Sequence, residues 1–168
     1  VYVGEVTRLT DTMREDTKVL NQQIASGMLK AVQDPTETYV VPKQKDAVPF
    51  VNLAPLQNAI AKLQDSAKNY QKAAAGKTLS SAAQKELDRI LINTERTLTN
   101  ASGLPRRDWF THQIYAPGFY TGYGVKTLPG VREAMEQRYW KEAGEQIMVV
   151  SATLERFAAE IDKAAKLY

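Results

Sequence analysis

The sequence has 168 residues, the usual size of one domain, and 43% of them are hydrophobic and 24% charged. It has no cysteine, which excludes thiolate catalysis, Cys-ligated zinc, iron–sulfur clusters and disulfides. Lys and Arg number 22 against 19 Asp and Glu, and because this net charge of +3 is dispersed, no nucleic-acid partner is expected. No run reaches the roughly 18–20 apolar residues that a membrane-spanning helix needs, so no membrane segment is predicted.

The first predicted element is a long helix that ends at Asp34-Pro35, because the residue before a proline is driven out of the α region. Residues 35–52 then carry three prolines, which predicts an extended connector. The chain starts at Val1 without a Met or a signal-like apolar stretch, so we expect a processed product or a fragment of a longer protein. The apolar face of this helix is predicted to consist of Val6, Leu9, Met13, Thr17, Leu20, Ile24, Met28 and Ala31.

Two further helices are predicted in the middle of the chain. The second begins after Asn52, whose side chain can cap it, and ends at Gly76. The third begins at Ser81, with Gln84 three residues later in a capping-box pattern, and ends over residues 100–103. Both carry apolar residues at steps of three and four, which is typical of core packing.

The last two predicted helices complete the fold. Pro129 and Gly130 open a short helix that runs to about Trp140, and Gly144 separates it from a long final helix. Apolar stripes of this kind close on one another, so the sequence predicts an all-α, four-helix-bundle-like fold. The whole of residues 1–168 is expected to be a single helical domain.

Residues 103–129 have no helical period and are unusually aromatic. Connections this long are uncommon in a domain unless they are disordered or functional, and disordered segments are poor in aromatic residues. We therefore expect an ordered segment that buries its rings. It either plugs the end of the helices or presents Tyr123, between Gly122 and Gly124, to a ligand or partner. Its aromatic residues are Trp109, Phe110, Tyr115, Phe119, Tyr120 and Tyr123.

Catalytic and metal-binding patterns are absent from the sequence. His112 is the only histidine, so it has no second His or Cys with which to form a metal site. Asp108 lies four residues earlier and could pair with it. There is no phosphate-binding glycine loop, nucleophile elbow or zinc-protease motif. The chain by itself is not expected to be an enzyme or to bind a cofactor.

A specific motif lies within the aromatic segment. Residues 103–117 read GLPRRDWFTHQIYAP, and Leu128-Pro129-Gly130-Val131 follow after a loop. This pattern, and the order of helices around it, resembles the transferrin-receptor-like dimerisation domain, the C-terminal helical domain of glutamate carboxypeptidase II-like zinc peptidases. The resemblance covers essentially the whole chain, and the motif is its specific part.

The resemblance implies a longer parent protein with a zinc-dependent exopeptidase domain that supplies both the zinc and the catalytic residues. It implies that this helical domain forms a homodimer and packs on the peptidase domain of the same chain. Bacterial relatives look exported, so a periplasmic or secreted location is expected. Apolar residues for the dimer interface are predicted at Val19, Leu29, Leu91, Ile92, Met148 and Val149.

The resemblance also implies a role for residues 115–128 in lining the pocket for the C-terminal residue of the substrate. A Lys-Tyr pair of the family falls on Gly122 and Tyr123, so the tyrosine is kept and the lysine is lost. Lys126 could replace that lysine, and a strict preference for a terminal glutamate is not expected. His112 matches a family histidine that braces the loop, together with the motif residues Tyr115 and Pro117.

Two other functions remain open from the sequence. One is a receptor-like member of the family that lacks peptidase chemistry and binds a protein through the helical domain. The other is a stand-alone helical binding module.

Overall fold

The computed structural model describes all 168 residues, and about 60% of the chain is helical. The chain divides into two compact units, residues 3–51 and 52–168. That residues 1–168 form a single domain stays a prediction. The first unit contains α1 (Tyr2–Ala25), α2 (Met28–Ala31) and a segment without helix or strand. The second contains α3 (Ala54–Ala74), α4 (Ser81–Thr94), β1 (Tyr115–Gly118), β2 (Gly122–Thr127), α5 (Pro129–Glu136) and α6 (Trp140–Ala165). None of the helices combines the length and the run of apolar residues that a membrane-spanning segment requires.

The long first helix of the prediction is interrupted in the structure. The backbone at Gly27 adopts a φ of 73°, in the left-handed region, and this separates α1 from the single turn of α2. Met28, predicted to be in the apolar face, is therefore exposed. The residues after Pro35 form a turn and then neither helix nor strand up to α3, so the end of the helix is confirmed and the extended connector stays a prediction. The Asn21 side chain accepts the Lys45 N–H at 2.9 Å and donates to the Lys45 carbonyl at 2.7 Å.

The predicted starts of the second and third helices are confirmed to within a residue or two. The Asn52 side chain accepts the Ala54 N–H at 3.0 Å, as expected of a cap. The predicted capping box of Ser81 and Gln84 is wrong, because Ser80 Oγ accepts the Ala83 N–H at 3.2 Å and the Gln84 side chain donates to Asp88 Oδ1 at 2.9 Å. Gly76, with a φ of 68°, follows the end of α3. A 3₁₀ turn, Glu95–Leu98, extends α4.

In the second unit, α3, α4 and α5 all pack on α6. Complete burial of a Leu, Ile or Met side chain stabilises a fold by roughly 1.5–3 kcal/mol, so these contacts dominate its stability. Gly144 lies inside α6, so the prediction that it separates two helices is wrong. The break falls at Arg138, whose φ of 61° stops α5. Fully or almost fully buried apolar residues of this core are Leu56, Ala59, Val131, Ala134, Met135, Ala143, Ile147, Val150 and Ala158.

The all-α prediction needs one correction. Residues 103–129 contain a two-stranded antiparallel sheet in which β1 pairs with β2, with Tyr115 opposite Thr127 and Ala116 opposite Lys126. The chain is therefore mostly helical, with one β-hairpin between α4 and α5. Tyr, Val and Thr favour strands, and a glycine-containing turn between them is the signal for a hairpin that helical periodicity did not reveal.

Candidate functional site

The hairpin projects Tyr123 into solvent. Phe119–Thr121 make the turn, and Gly122 follows with a φ of 65°, a conformation that favours glycine. Tyr123 comes next and is fully exposed. A Cβ at Gly122 would meet no atom within 4 Å, so its left-handed backbone, and not crowding, favours glycine there. The Tyr123 side chain is thus at the surface of this chain, and its presentation to a ligand or partner stays a prediction.

The two faces of the hairpin differ in character. Ala116 is buried, and the hairpin packs on α5. Side chains alternate along a strand, so neighbouring positions point the other way. Tyr115, Pro117 and Val125 are exposed accordingly, and with Tyr123 they form an apolar, aromatic surface on the hairpin.

The expectation that residues 103–129 are ordered by burying their aromatic rings is wrong. Phe110 is half-buried, whereas the other five rings, those of Trp109, Tyr115, Phe119, Tyr120 and Tyr123, are exposed. Buried Leu104, Ala116 and Leu128 and the ion pair of Arg107 with Glu133 hold the segment instead.

Lys126 is engaged in an ion pair. Its Nζ donates to Glu136 Oε1 on α5 at 2.6 Å and also contacts Oε2, and its side chain is mostly buried. To contact a substrate carboxylate, as predicted for it, this lysine would first have to leave Glu136. Lys126 therefore already has an ion-pair partner, Glu136, which the sequence did not suggest.

His112 sits at the base of the hairpin. Its Nδ1 accepts the N–H groups of Ile114 and Tyr115, both at 3.3 Å, and its ring lies 4.0 Å from the Tyr115 ring. Its Nε2 lies 3.3 Å from Glu95 Oε1, outside hydrogen-bond geometry. The carboxylate beside His112 is thus that of Glu95, and not that of Asp108.

Glu95 also binds the tyrosine of the same cluster. The Tyr115 hydroxyl donates to Glu95 Oε1 at 3.0 Å. This hydrogen bond, and then the negative charge of the carboxylate, raise the pKa of Tyr115 because both oppose formation of the phenolate. His112, Tyr115 and Glu95 therefore join β1 to the 3₁₀ turn that follows α4.

A buried ion pair lies behind the hairpin. The side chains of Arg107 and Glu133 are only 2% and 4% exposed, and Arg107 Nη2 donates to both carboxylate oxygens at 2.7 and 2.6 Å. Sequence reasoning missed both residues. They are 26 positions apart, one in an irregular turn and one on α5, and no local pattern links such positions.

The adjacent arginine makes a similar but more exposed pair. Arg106 donates from both Nη atoms to the Glu142 carboxylate on α6, each at 2.8 Å. This bidentate contact raises the pKa of Arg106. The φ of Arg106 is 64°, in the left-handed region.

No metal-binding constellation appears in the structure. No group of three or more His, Asp and Glu side chains lies close enough together to hold a metal ion. The side chains that the hairpin exposes are those of Tyr115, Pro117, Tyr123 and Val125.

Comparisons with known proteins place this chain in a family. Residues 51–162 match the sequence profile of the transferrin receptor-like dimerisation domain. A probable glutamate carboxypeptidase LAMP1 of Arabidopsis thaliana is 36% identical over 77 residues, 42% of this chain and 11% of that protein. A probable glutamate carboxypeptidase of Arthroderma benhamiae is 35% identical over 79 residues, 47% of this chain and 10% of that protein. The matched segment thus spans about a tenth of the length of these relatives. Because the profile covers two thirds of the residues, the chain belongs to the transferrin receptor-like dimerisation domain family.

Proposed function

We propose that this chain is the homodimerisation domain of a glutamate carboxypeptidase-like zinc exopeptidase, and that its hairpin helps to line the pocket for the C-terminal residue of the substrate. The family match over residues 51–162 and the names of the two relatives support the class of parent protein. In this proposal the zinc and the catalytic groups belong to the peptidase domain of the same protein, which is exported to the periplasm or secreted.

The observation that carries the pocket role is the exposure of Tyr123 at the tip of an ordered hairpin. A phenol hydroxyl donates a hydrogen bond to a carboxylate, and a free C-terminal carboxylate is what an exopeptidase of this type must recognise. Gly122 adds no charge beside it, and Lys126 is paired with Glu136. The pocket is therefore proposed to bind the terminal carboxylate without a strong demand for an acidic side chain.

The test is to assay the zinc-loaded parent protein for release of C-terminal residues from a panel of dipeptides, with and without Tyr123→Phe. A hydrogen bond to a charged group contributes about 1.5–3 kcal/mol. We therefore expect KM to rise by roughly 10- to 100-fold, with kcat little changed. Tyr39→Phe, at an exposed tyrosine outside residues 103–129, is the matched control and should leave KM unaltered.

Two results would count against the proposal. An unchanged KM in Tyr123→Phe would remove Tyr123 from the pocket. No hydrolysis by any zinc-loaded parent would favour the receptor-like alternative, in which the exposed hairpin surface binds a protein.

A further inference from the structure

Arg107 and Glu133 contact the backbone of the hairpin as well as each other. The Glu133 carboxylate accepts the Phe119 backbone N–H at 2.8 Å, and Arg107 Nη1 donates to the Pro117 carbonyl. The guanidinium carbon lies 5.6 Å from the centre of the Phe119 ring. The two charged side chains therefore hold the backbone on either side of Gly118.

These contacts lie where the hydrogen-bond ladder between β1 and β2 is irregular. The pairing register of β1 and β2 shifts between Pro117 and Gly118, immediately before the turn. Backbone groups at such a shift lose regular ladder partners, and side chains must satisfy them. Arg107 and Glu133 do this for Pro117 and Phe119, so the pair replaces ladder bonds at the turn.

Stability alone is a weak explanation for such a pair. Two charges removed from water lose solvation that their attraction only partly restores, and well-packed apolar residues often stabilise a fold equally well. The charges do, however, give directional bonds to a backbone carbonyl and a backbone N–H at one turn, which apolar side chains cannot make.

We propose that Arg107 and Glu133 are positioning residues that fix the hairpin turn, and with it the Tyr123 side chain. That the position of Tyr123 matters for substrate binding rests on the function proposed above. The positioning itself is a property of this chain and can be measured without any activity.

The test is hydrogen exchange of this chain carrying Arg107→Met and Glu133→Leu together. Replacing both charges leaves no unpaired ion, so the core helix α6 should keep its protection. The ladder amides of β1 and β2 should exchange at least about tenfold faster. The matched control is Arg106→Met with Glu142→Leu, the adjacent and more exposed pair, which should leave hairpin exchange near the wild-type rate.

Arg107→Lys is a second variant that keeps the buried charge and so protects the fold. Lysine has one nitrogen and no planar fork, so it cannot hold both the carboxylate and the Pro117 carbonyl in this geometry. We expect the hairpin amides to exchange at a rate between that of the wild type and that of the double variant. The exchange rates of α6 should not change. Hairpin exchange at the wild-type rate in the double variant, or equal acceleration in α6 and the hairpin in both variants, would overturn the proposal.

The parent protein gives a functional readout of the same variants. The Arg107→Met, Glu133→Leu variant should raise KM with little change in kcat, as Tyr123→Phe does. A hairpin that loosens in a parent without peptidase activity would reject the proposed function and leave the positioning role intact.

Discussion

At the residue scale, Glu95 links two functional-site candidates through one carboxylate. It accepts from the Tyr115 hydroxyl and lies beside His112, whose Nδ1 accepts two backbone N–H groups at the start of β1. These side-chain contacts hold the base of the hairpin. The turn is held separately, by the bonds of Arg107 and Glu133 to its backbone.

The first residue-scale prediction concerns the titration of Tyr115. Its pKa in the folded chain is raised above the usual value of about 10, so the stabilisation is present below that value and is lost as pH rises through the raised pKa. Glu95→Gln should bring the pKa of Tyr115 down towards its usual value, as followed by NMR of the labelled ring. Glu86→Gln, at a half-buried glutamate of α4, is the control. An unshifted Tyr115 titration in Glu95→Gln would show that the contact is not formed.

At the element scale, local backbone conformation decides where helices stop. Gly144 lies within α6 and is exposed, and a Cβ added there would meet open space, whereas Gly27 separates α1 from α2 with a left-handed φ of 73°. The same residue type is thus dispensable in one helix and required between two others.

Paired substitutions of these glycines test this difference. Gly144→Ala should stabilise the chain by about 0.5–1 kcal/mol, because alanine has the higher helix propensity and meets no atom. Gly27→Ala should destabilise it by roughly 1–2 kcal/mol, since an L-residue is strained in the left-handed region. Urea unfolding of both variants measures the two free energies. Changes of the same sign would contradict the assigned backbone conformations.

The helices were predictable because their evidence is local. The Asn52 cap and the three-and-four spacing of apolar residues depend only on neighbours in sequence, although the cap of α4 lies at Ser80 and not at the predicted Ser81. The hairpin was missed because Pro117 and three glycines dilute its strand pattern. The Arg107–Glu133 contact was missed because it joins distant, unpatterned positions. Tyr123 was singled out by its place between two glycines in an aromatic segment, and the family motif added the proposed contact with substrate.

At the scale of the whole molecule, several apolar residues predicted for an interface are exposed. Ile92 on α4 is 67% exposed, Met148 on α6 is 58% exposed, and Leu91 is also exposed. Val19 on α1 is exposed too, whereas Leu29 and Val149 are half-buried. Exposed apolar residues favour association, and membership of a dimerisation-domain family agrees with self-association of this chain.

Self-association gives the prediction at this scale. We expect the chain to dimerise, and Ile92→Lys to weaken the dimer by about 100-fold or more. Each copy loses roughly 1.5 kcal/mol or more of apolar burial, and a two-fold dimer contains the change twice. Sedimentation equilibrium measures this constant. Val40→Lys, at an exposed valine outside the predicted set, is the control. A wild-type chain that stays monomeric at high concentration would contradict the prediction for the isolated chain.

The hairpin is tied at both ends, and this has a consequence for the entropy of binding. The Leu128 N–H donates to the Ile114 carbonyl at 2.7 Å at the base, and the buried pair holds the turn. A partner at Tyr123 therefore has to immobilise mainly one side chain, at about 0.5–1.5 kcal/mol. Ordering a floppy backbone costs roughly 1–2 kcal/mol for each residue fixed. Preorganisation of the hairpin thus leaves most of the free energy of each contact at its tip available as affinity.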